Sequence, residues 1–135
     1  MTDRPFPLDF ATLERPSSPN TFLVLPAGFQ STASADLESP GFPGDPEAVL
    51  DRFRTVALIT PRTSLVRQDD EQIELVQRSA LFRFRDYITV MAVATGTSSS
   101  SLCVYSRSTV GYSDLGVNAK RVRAWLNALA DASYR

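Results

Sequence analysis

The stretch that decides the fold reads SRSTVGYSDLGVNAKRVRAWLNAL and runs from Ser106 to Leu129. It starts as the end of a predicted strand, crosses a loop with two glycines, and becomes a helix. Asn118 stands at the start of this helix and has a residue type that caps helix N-termini, so we expect it to be the cap. The apolar residues recur at helical spacing. An amphipathic helix directly after a strand predicts a helix packed on a sheet, with these residues buried: Val122, Trp125, Leu126 and Leu129.

Upstream of this stretch the pattern predicts one helix and four strands. The helix is capped by Asp45, has Pro46 in its first turn and ends before Pro61. Short connections between the strands favour antiparallel neighbours. The predicted fold class is therefore α+β, an antiparallel sheet of about four strands packed with two helices. The strands are expected at residues 63–68, 72–79, 85–94 and 102–110, with a serine-rich loop at 98–101.

Residues 1–44 have a different composition, because they contain most of the prolines. We expect an irregular, extended N-terminal arm over 1–44, followed by a compact α+β domain over 45–135. Phe22, Leu23 and Leu25 are too apolar for a free linker, so they are predicted to anchor the arm on the body. The same three residues are candidates for contact with a partner.

Composition excludes several classes of function. The chain has 135 residues, no histidine and one cysteine, Cys103. Serine and cysteine hydrolases that use a histidine, zinc sites built from His and Cys, and an internal disulfide are therefore ruled out. No metal-ligand spacing or glycine-rich phosphate loop is present, so we expect no metal and no cofactor. A net charge of -1 gives no global attraction for nucleic acid, and we expect none as partner.

Localisation is predicted from two further patterns. No apolar run is long enough to span a membrane, and the N-terminus lacks the pattern of a secretory signal. We therefore expect a cytoplasmic protein without a membrane span. A periplasmic or membrane-associated location, with peripheral membrane contact, is the alternative if a leader or anchor has been removed.

The run RSTVGYSDLGVN from Arg107 to Asn118, followed by Arg121, resembles the signature of the family catalogued as domain of unknown function 1499. Arg78 and Asp86 resemble that family's second motif. The family occurs in bacteria and plastids, and the resemblance implies a fold but no activity. Many members carry an N-terminal hydrophobic anchor, which implies a periplasmic or lumenal location for them.

A meander would bring the polar residues of these motifs to one end of the sheet. Arg107 is expected to form an ion pair with Asp114 there. This neighbourhood, called the polar corner below, has three interpretations: a structural network, a pocket for a small polar or anionic ligand, or a site of catalysis by Asp86 and Asp114. Its predicted members are Arg78, Asp86, Arg107, Ser108, Asp114, Asn118 and Arg121.

Three functions follow from these interpretations. The favoured one is a non-catalytic accessory or interaction domain, a small subunit docked on a larger assembly, with an unidentified protein as partner. The alternatives are a small-ligand binder and a carboxylate-dependent enzyme. The segment FRFRDY, residues 82–87, alternates aromatic and basic residues. In a strand or a tight connection this places both arginines on one side and both phenylalanines on the other, which predicts ordinary half-burial rather than a nucleic-acid surface.

Overall fold

The computed structural model describes residues 4–134 and contains seven strands and two helices. Both helices lie where the sequence predicts them, and the fold class α+β is confirmed. The strands are β1 Thr21–Pro26, β2 Leu37–Ser39, β3 Phe42–Pro43, β4 Thr63–Gln68, β5 Gln72–Arg78, β6 Arg85–Ala94 and β7 Ser99–Ser108, and the helices are α1 Pro46–Leu58 and α2 Val117–Ser133.

All seven strands belong to one mixed sheet with the order β2-β1-β7-β6-β5-β4, and β3 pairs with the start of β7. The meander β4 to β7 is antiparallel, as predicted. The prediction of about four strands, all antiparallel, is nevertheless wrong in part, because β1 adds antiparallel to β7 and β2 adds parallel to β1. Residues 21–43, predicted to be irregular, thus complete the sheet.

The last strand is longer than predicted. The serine run that looked like a loop is the start of β7, where Ser100 and Ser101 are buried. Their hydroxyl groups donate to the carbonyl oxygens of Gly44 and Pro40, so the polar side chains are satisfied inside the protein. A serine run is therefore compatible with a buried strand when neighbouring segments offer acceptors.

One face of the sheet, the helix face, is covered by α1 and α2. The N-cap Asp45 accepts a hydrogen bond from the Ala48 amide, as the sequence predicts. Trp125 is buried as predicted, meets the Phe53 ring edge-on at 5.8 Å between centroids, and donates to Thr60 Oγ1. The two helices and the sheet thus share one apolar core.

The opposite face, the arm face, is covered by the N-terminal segment. Leu8, Phe10 and Leu13 pack there on Leu23, Leu25 and other sheet residues. Phe22 points to the helix face, because side chains alternate along a strand. All three predicted partner contacts, Phe22, Leu23 and Leu25, are buried in the chain itself, since β1 is an inner strand.

Candidate functional site

Asn118 is the centre of the polar corner and is fully buried. Its side-chain oxygen accepts from Ser106 Oγ at 2.6 Å and from Arg121 Nη1 at 2.7 Å. Its amide nitrogen donates to Asp114 Oδ2, Ser108 Oγ and the Asn20 carbonyl at 2.7–3.0 Å. The side chain therefore joins α2, β7, the loop before α2 and the segment before β1.

Arg121 and Asp86 form the ion pair of the corner. Nη2 of Arg121 lies 2.7 Å from Asp86 Oδ2, and the two side chains are only 6% and 14% exposed. Nε of the same arginine donates to Gln77 Oε1. Asp86 opens β6 and Gln77 is its register partner on β5, so the helix is tied to two strands at once.

The N-cap residue of α2 is Gly116, which has no side chain, and Asp114 two residues earlier supplies the capping acceptor instead of Asn118. The helix begins at Val117, so Asn118 is its second residue and the prediction of an Asn118 cap is wrong. Asp114 accepts from the backbone amides of Gly116 and Asn118 at 2.8 and 3.0 Å. Burial alone would raise the pKa of Asp114, but the hydrogen bonds from the Asn118 side chain and these amides lower it overall.

Arg107 does not join the polar corner, and its predicted pairing with Asp114 is wrong. Successive residues of β7 point to opposite faces, so Ser106 faces α2 while Arg107 faces the arm. Arg107 donates to Thr89 Oγ1 at 2.9 Å and lies 3.7 Å from a carboxylate oxygen of Glu74. Burial lowers the pKa of Arg107 to about 10, against the opposing effect of Glu74.

Glu74 is a buried charge that sequence reasoning missed. Its carboxylate accepts from Arg4 Nε at 3.0 Å and from Arg67 Nε at 2.9 Å, and with Arg107 these residues form what we call the Glu74 cluster. Burial would raise the pKa of Glu74, but the hydrogen bonds from Arg67 and Arg4 lower it overall. The sequence offered one signal for it: Glu74 stands between Ile73 and Leu75 in a strand, and alternation places it on the face of the sheet opposite to these two apolar residues.

The remaining predicted residues lie at the edge of the corner. Ser108 accepts from Asn118, so it belongs to the network. Arg78 bonds through its backbone to Arg62 and lines a cleft beside the corner. The structure therefore unites Asp86, Ser108, Asp114, Asn118 and Arg121, and leaves Arg78 beside them.

Three loops meet at this end of the sheet: residues 59–62, 79–84 and 109–116. They expose large apolar side chains, which we call the apolar rim. Phe82 and Phe84 stack on each other with centroids 5.4 Å apart and are both exposed, so the half-burial predicted for these phenylalanines is wrong. The connection is too tight to continue the alternation. The rim consists of Leu81, Phe82, Phe84, Tyr112 and Leu115.

The backbone of these loops is held in an uncommon conformation. Arg62, Arg83 and Leu115 have φ of 60°, 61° and 55°, and within residues 4–134 they are the only non-glycine residues with positive φ. One lies in each of the three loops. Such residues cost stability and concentrate at functional sites.

A cleft of about 500 Å³ lies between the loops. Its wall combines apolar groups of Phe84, Val110 and Val117 with the basic residues Arg62 and Arg78. Across the described part of the chain, no group of three or more Cys, Asp and Glu side chains is placed to hold a metal ion. Neither helix within residues 4–134 has the length and hydropathy of a membrane span.

The sequence run that forms this site, Arg107 to Asn118 followed by Arg121, lies within the match to a known family. The family model described as protein of unknown function (DUF1499) matches residues 13–129. The chain belongs to this family. No curated protein matches the sequence significantly. The DUF1499 match includes the polar corner, the Glu74 carboxylate and every residue of the apolar rim.

The carboxylates of the polar corner already have hydrogen-bond partners within the protein. Asp86 binds Arg121, and Asp114 binds the start of α2, so both carboxylates are engaged by the protein. Among residues 4–134 no buried side-chain nitrogen or oxygen lacks a hydrogen-bond partner. The corner therefore holds the loop 109–116 and the helix start in place, and the exposed chemistry lies on the loops above it.

Proposed function

We propose that this protein is a non-catalytic interaction domain that docks through the three-loop end of its sheet on a larger assembly. The observation that carries the proposal is Leu115. Its side chain is 93% exposed and its backbone has φ of 55°. Glycine or asparagine would adopt this conformation at lower cost, and an exposed leucine contributes nothing to the core. A contact outside the chain accounts for a leucine at this position.

The other rim residues support the same proposal. Leu81 and Phe82 are 79% and 68% exposed, at the tip of the hairpin that joins β5 to β6. Single exposed apolar residues are ordinary, but several at one end are typical of a binding surface, and the polar corner holds one of these loops, 109–116, in place. Rigid presentation lowers the entropy cost of binding.

Catalysis is the weaker proposal. A carboxylate that acts as general base must reach a substrate proton. Asp86 instead accepts a hydrogen bond from Arg121, and Asp114 accepts hydrogen bonds from backbone amides at the start of α2. The low pKa of Asp114 also makes it a weak base.

A small anionic ligand in the cleft is the second candidate, and the position of Arg78 favours it. Arg78 lines the cleft, and among the described residues its side chain has no hydrogen-bonding or ionic partner. Arg78→Gln would abolish binding of such a ligand, whereas Leu115 and Phe82 would still contact the docking partner. Native mass spectrometry of the purified protein would detect a bound anion directly.

Docking is tested by site-specific photocrosslinking in the native cell extract and its membranes. A photoreactive residue at Phe82 or Leu115 should give one abundant kind of adduct, with a protein or with membrane lipid. The matched control is Val66, which is 41% exposed on β4, outside the three loops. Equal labelling from all three positions, or no adduct from any, would contradict the proposed function.

A further inference from the structure

We infer that the three-loop end docks on an anionic membrane surface, with the apolar rim entering the headgroup region and the nearby arginines meeting lipid phosphates. This inference rests on the proposed function and names the partner. It is independent of any spanning segment, because the contact is made by loop side chains.

The first argument is the division of charge between the two ends of the sheet. The three-loop end carries more basic than acidic residues, and its acids Asp86 and Asp114 are engaged internally. The other end holds the turn 69–71 and the start of α1, where acidic residues predominate. Arg121 is buried against Asp86, so the available basic side chains at the three-loop end are Arg62, Arg78, Arg83, Arg85 and Lys120.

This polarity is local, because the net charge of the whole chain is only -1. A negatively charged surface would therefore attract the three-loop end and repel the opposite end, which orients the molecule. Each basic residue near an anionic leaflet contributes about 1 kcal/mol, or roughly a fivefold increase in binding. The charge pattern thus favours the same orientation as the apolar rim.

The second argument is the arrangement of apolar and basic side chains along the hairpin. Leu81 and Phe82 stand at its tip, and Arg83 and Arg85 follow directly. Among residues 4–134, neither of these arginines has a side-chain hydrogen bond or ion pair, and both are exposed. Apolar and aromatic tips flanked by free cations are typical of a membrane-interface contact.

The third argument separates a membrane from a protein partner. The rim residues project from separate loops around the cleft, and the exposed charged side chains among them are all basic. A specific protein interface has a packed apolar centre and a rim of mixed hydrogen-bonding groups. Lipid requires no fixed pattern of donors and acceptors, so a set of loop tips suffices.

The test measures co-sedimentation of the full chain with vesicles. Vesicles of phosphatidylglycerol mixed equally with phosphatidylcholine should bind the protein, and pure phosphatidylcholine should bind it at least tenfold less. The double variant Arg83→Glu, Arg85→Glu should lose at least about twentyfold, since two basic charges are removed and two acidic ones added. Arg54→Glu, at a partly exposed arginine of α1 near the acidic end, is the charge control and should bind like the unchanged protein.

Insertion of the apolar rim into the headgroup region is measured in a separate experiment. Phe82→Trp should show quenching by brominated phosphatidylglycerol, whereas Val66→Trp should not, and the buried Trp125 provides an equal background in both. Leu115→Ser should weaken binding about tenfold or less, and Val66→Ser should not. Thermal unfolding of each variant confirms that it folds.

The outcomes distinguish this inference from the proposed function. Equal binding to neutral and anionic vesicles, or quenching that is the same at both tryptophan positions, overturns the membrane assignment. No vesicle binding together with a protein adduct from Phe82 also overturns it, and leaves the docking function intact. No vesicle binding and no adduct would refute both.

Discussion

The two faces of the sheet each bury a polar centre, and the two centres are built differently. The polar corner on the helix face uses an amide, hydroxyl groups and one ion pair, with Asn118 at the middle. The Glu74 cluster on the arm face surrounds one carboxylate with three arginines. The first depends on hydrogen-bond geometry and the second on charge.

The comparison shows that each centre attaches a segment without regular structure to the sheet. The polar corner holds the loop 109–116, because Asn118 and Asp114 bond across it. The Glu74 cluster holds the start of the arm, because Arg4 binds Glu74 and also stacks over Tyr87 at 3.3 Å. Gln72 adds a second tie by bonding both backbone groups of Leu8.

The largest effect is expected from removing the arm. Deletion of residues 1–16 removes the buried side chains Leu8, Phe10 and Leu13, each worth about 1.5–3 kcal/mol. We expect a loss of about 5 kcal/mol or more, which is comparable with the whole stability of a small domain. Urea unfolding followed by Trp125 fluorescence measures it.

Because the deleted chain could fail to fold, Phe10→Ala provides a milder version with an expected cost of roughly 3–5 kcal/mol. Tyr112→Ala, at an exposed aromatic residue, is the matched control and should cost less than about 0.5 kcal/mol. Unchanged stability of Phe10→Ala would mean that the arm does not support the sheet.

The next largest effect depends on how many cations each buried carboxylate has: Asp86 has one arginine, whereas Glu74 has three. Arg121→Ala leaves Asp86 buried without a cation, so it should cost roughly 3–5 kcal/mol. Arg107→Ala should cost less, about 1–3 kcal/mol, because Glu74 keeps Arg4 and Arg67. Chemical denaturation of both variants gives the difference. A larger loss for Arg107→Ala would show that the arginines around Glu74 are not interchangeable.

Within the polar corner, Asn118 should matter more than Asp114. Asn118→Ala leaves several buried groups without partners, at about 1–3 kcal/mol. Asp114→Ala removes a helix cap, worth about 1 kcal/mol. The same denaturation curves measure both, and the reverse order would mean that the buried contacts of Asn118 stabilise the fold less than the capping by Asp114 does.

Acid should weaken both centres. Glu74 and Asp114 have pKa values below their ordinary 4.5 and 3.8, so their stabilisation is complete above these values. It is lost as the pH falls further, through the lowered pKa of the folded state, because the unfolded chain binds more protons there. Denaturation between about pH 6 and pH 2 should show a smaller acid loss in Glu74→Gln and Asp114→Asn than in the unchanged protein. Equal slopes would contradict the lowered values.

Much of the helix face could be predicted from sequence, because apolar periodicity and caps are local signals. Asp45, Trp125 and the bounds of β4 and β6 are confirmed on that basis. The arm face could not, since β1 joins the meander only by its pairing with β7, a contact between residues 80 to 86 positions apart. Short strands with proline neighbours carry no periodic signal.

The candidate site likewise has a part that sequence patterns predicted and a part that they did not. The polar corner was predicted because its residue types fit the end of a meander, and Arg107 was misplaced because one position along a strand changes the face. The apolar rim was not predicted, because the exposure of side chains in a hairpin connection depends on the turn type, which the sequence pattern did not define here. For FRFRDY the predicted half-burial is wrong because Phe82 and Phe84 lie in the connection before β6 and are exposed there.

The smallest effect expected is the coupling between Arg107 and Asp114. The two residues point to opposite faces of the sheet and share no hydrogen-bond partner among residues 4–134. In a double-mutant cycle with Arg107→Met and Asp114→Asn, the free energies of unfolding should add within about 0.5 kcal/mol. Arg121→Met with Asp86→Asn is the matched cycle across the ion pair, and its coupling should reach about 0.5–3 kcal/mol. A coupling above about 1 kcal/mol between Arg107 and Asp114 would mean that the two centres act as one site across the sheet, which would break the comparison between them.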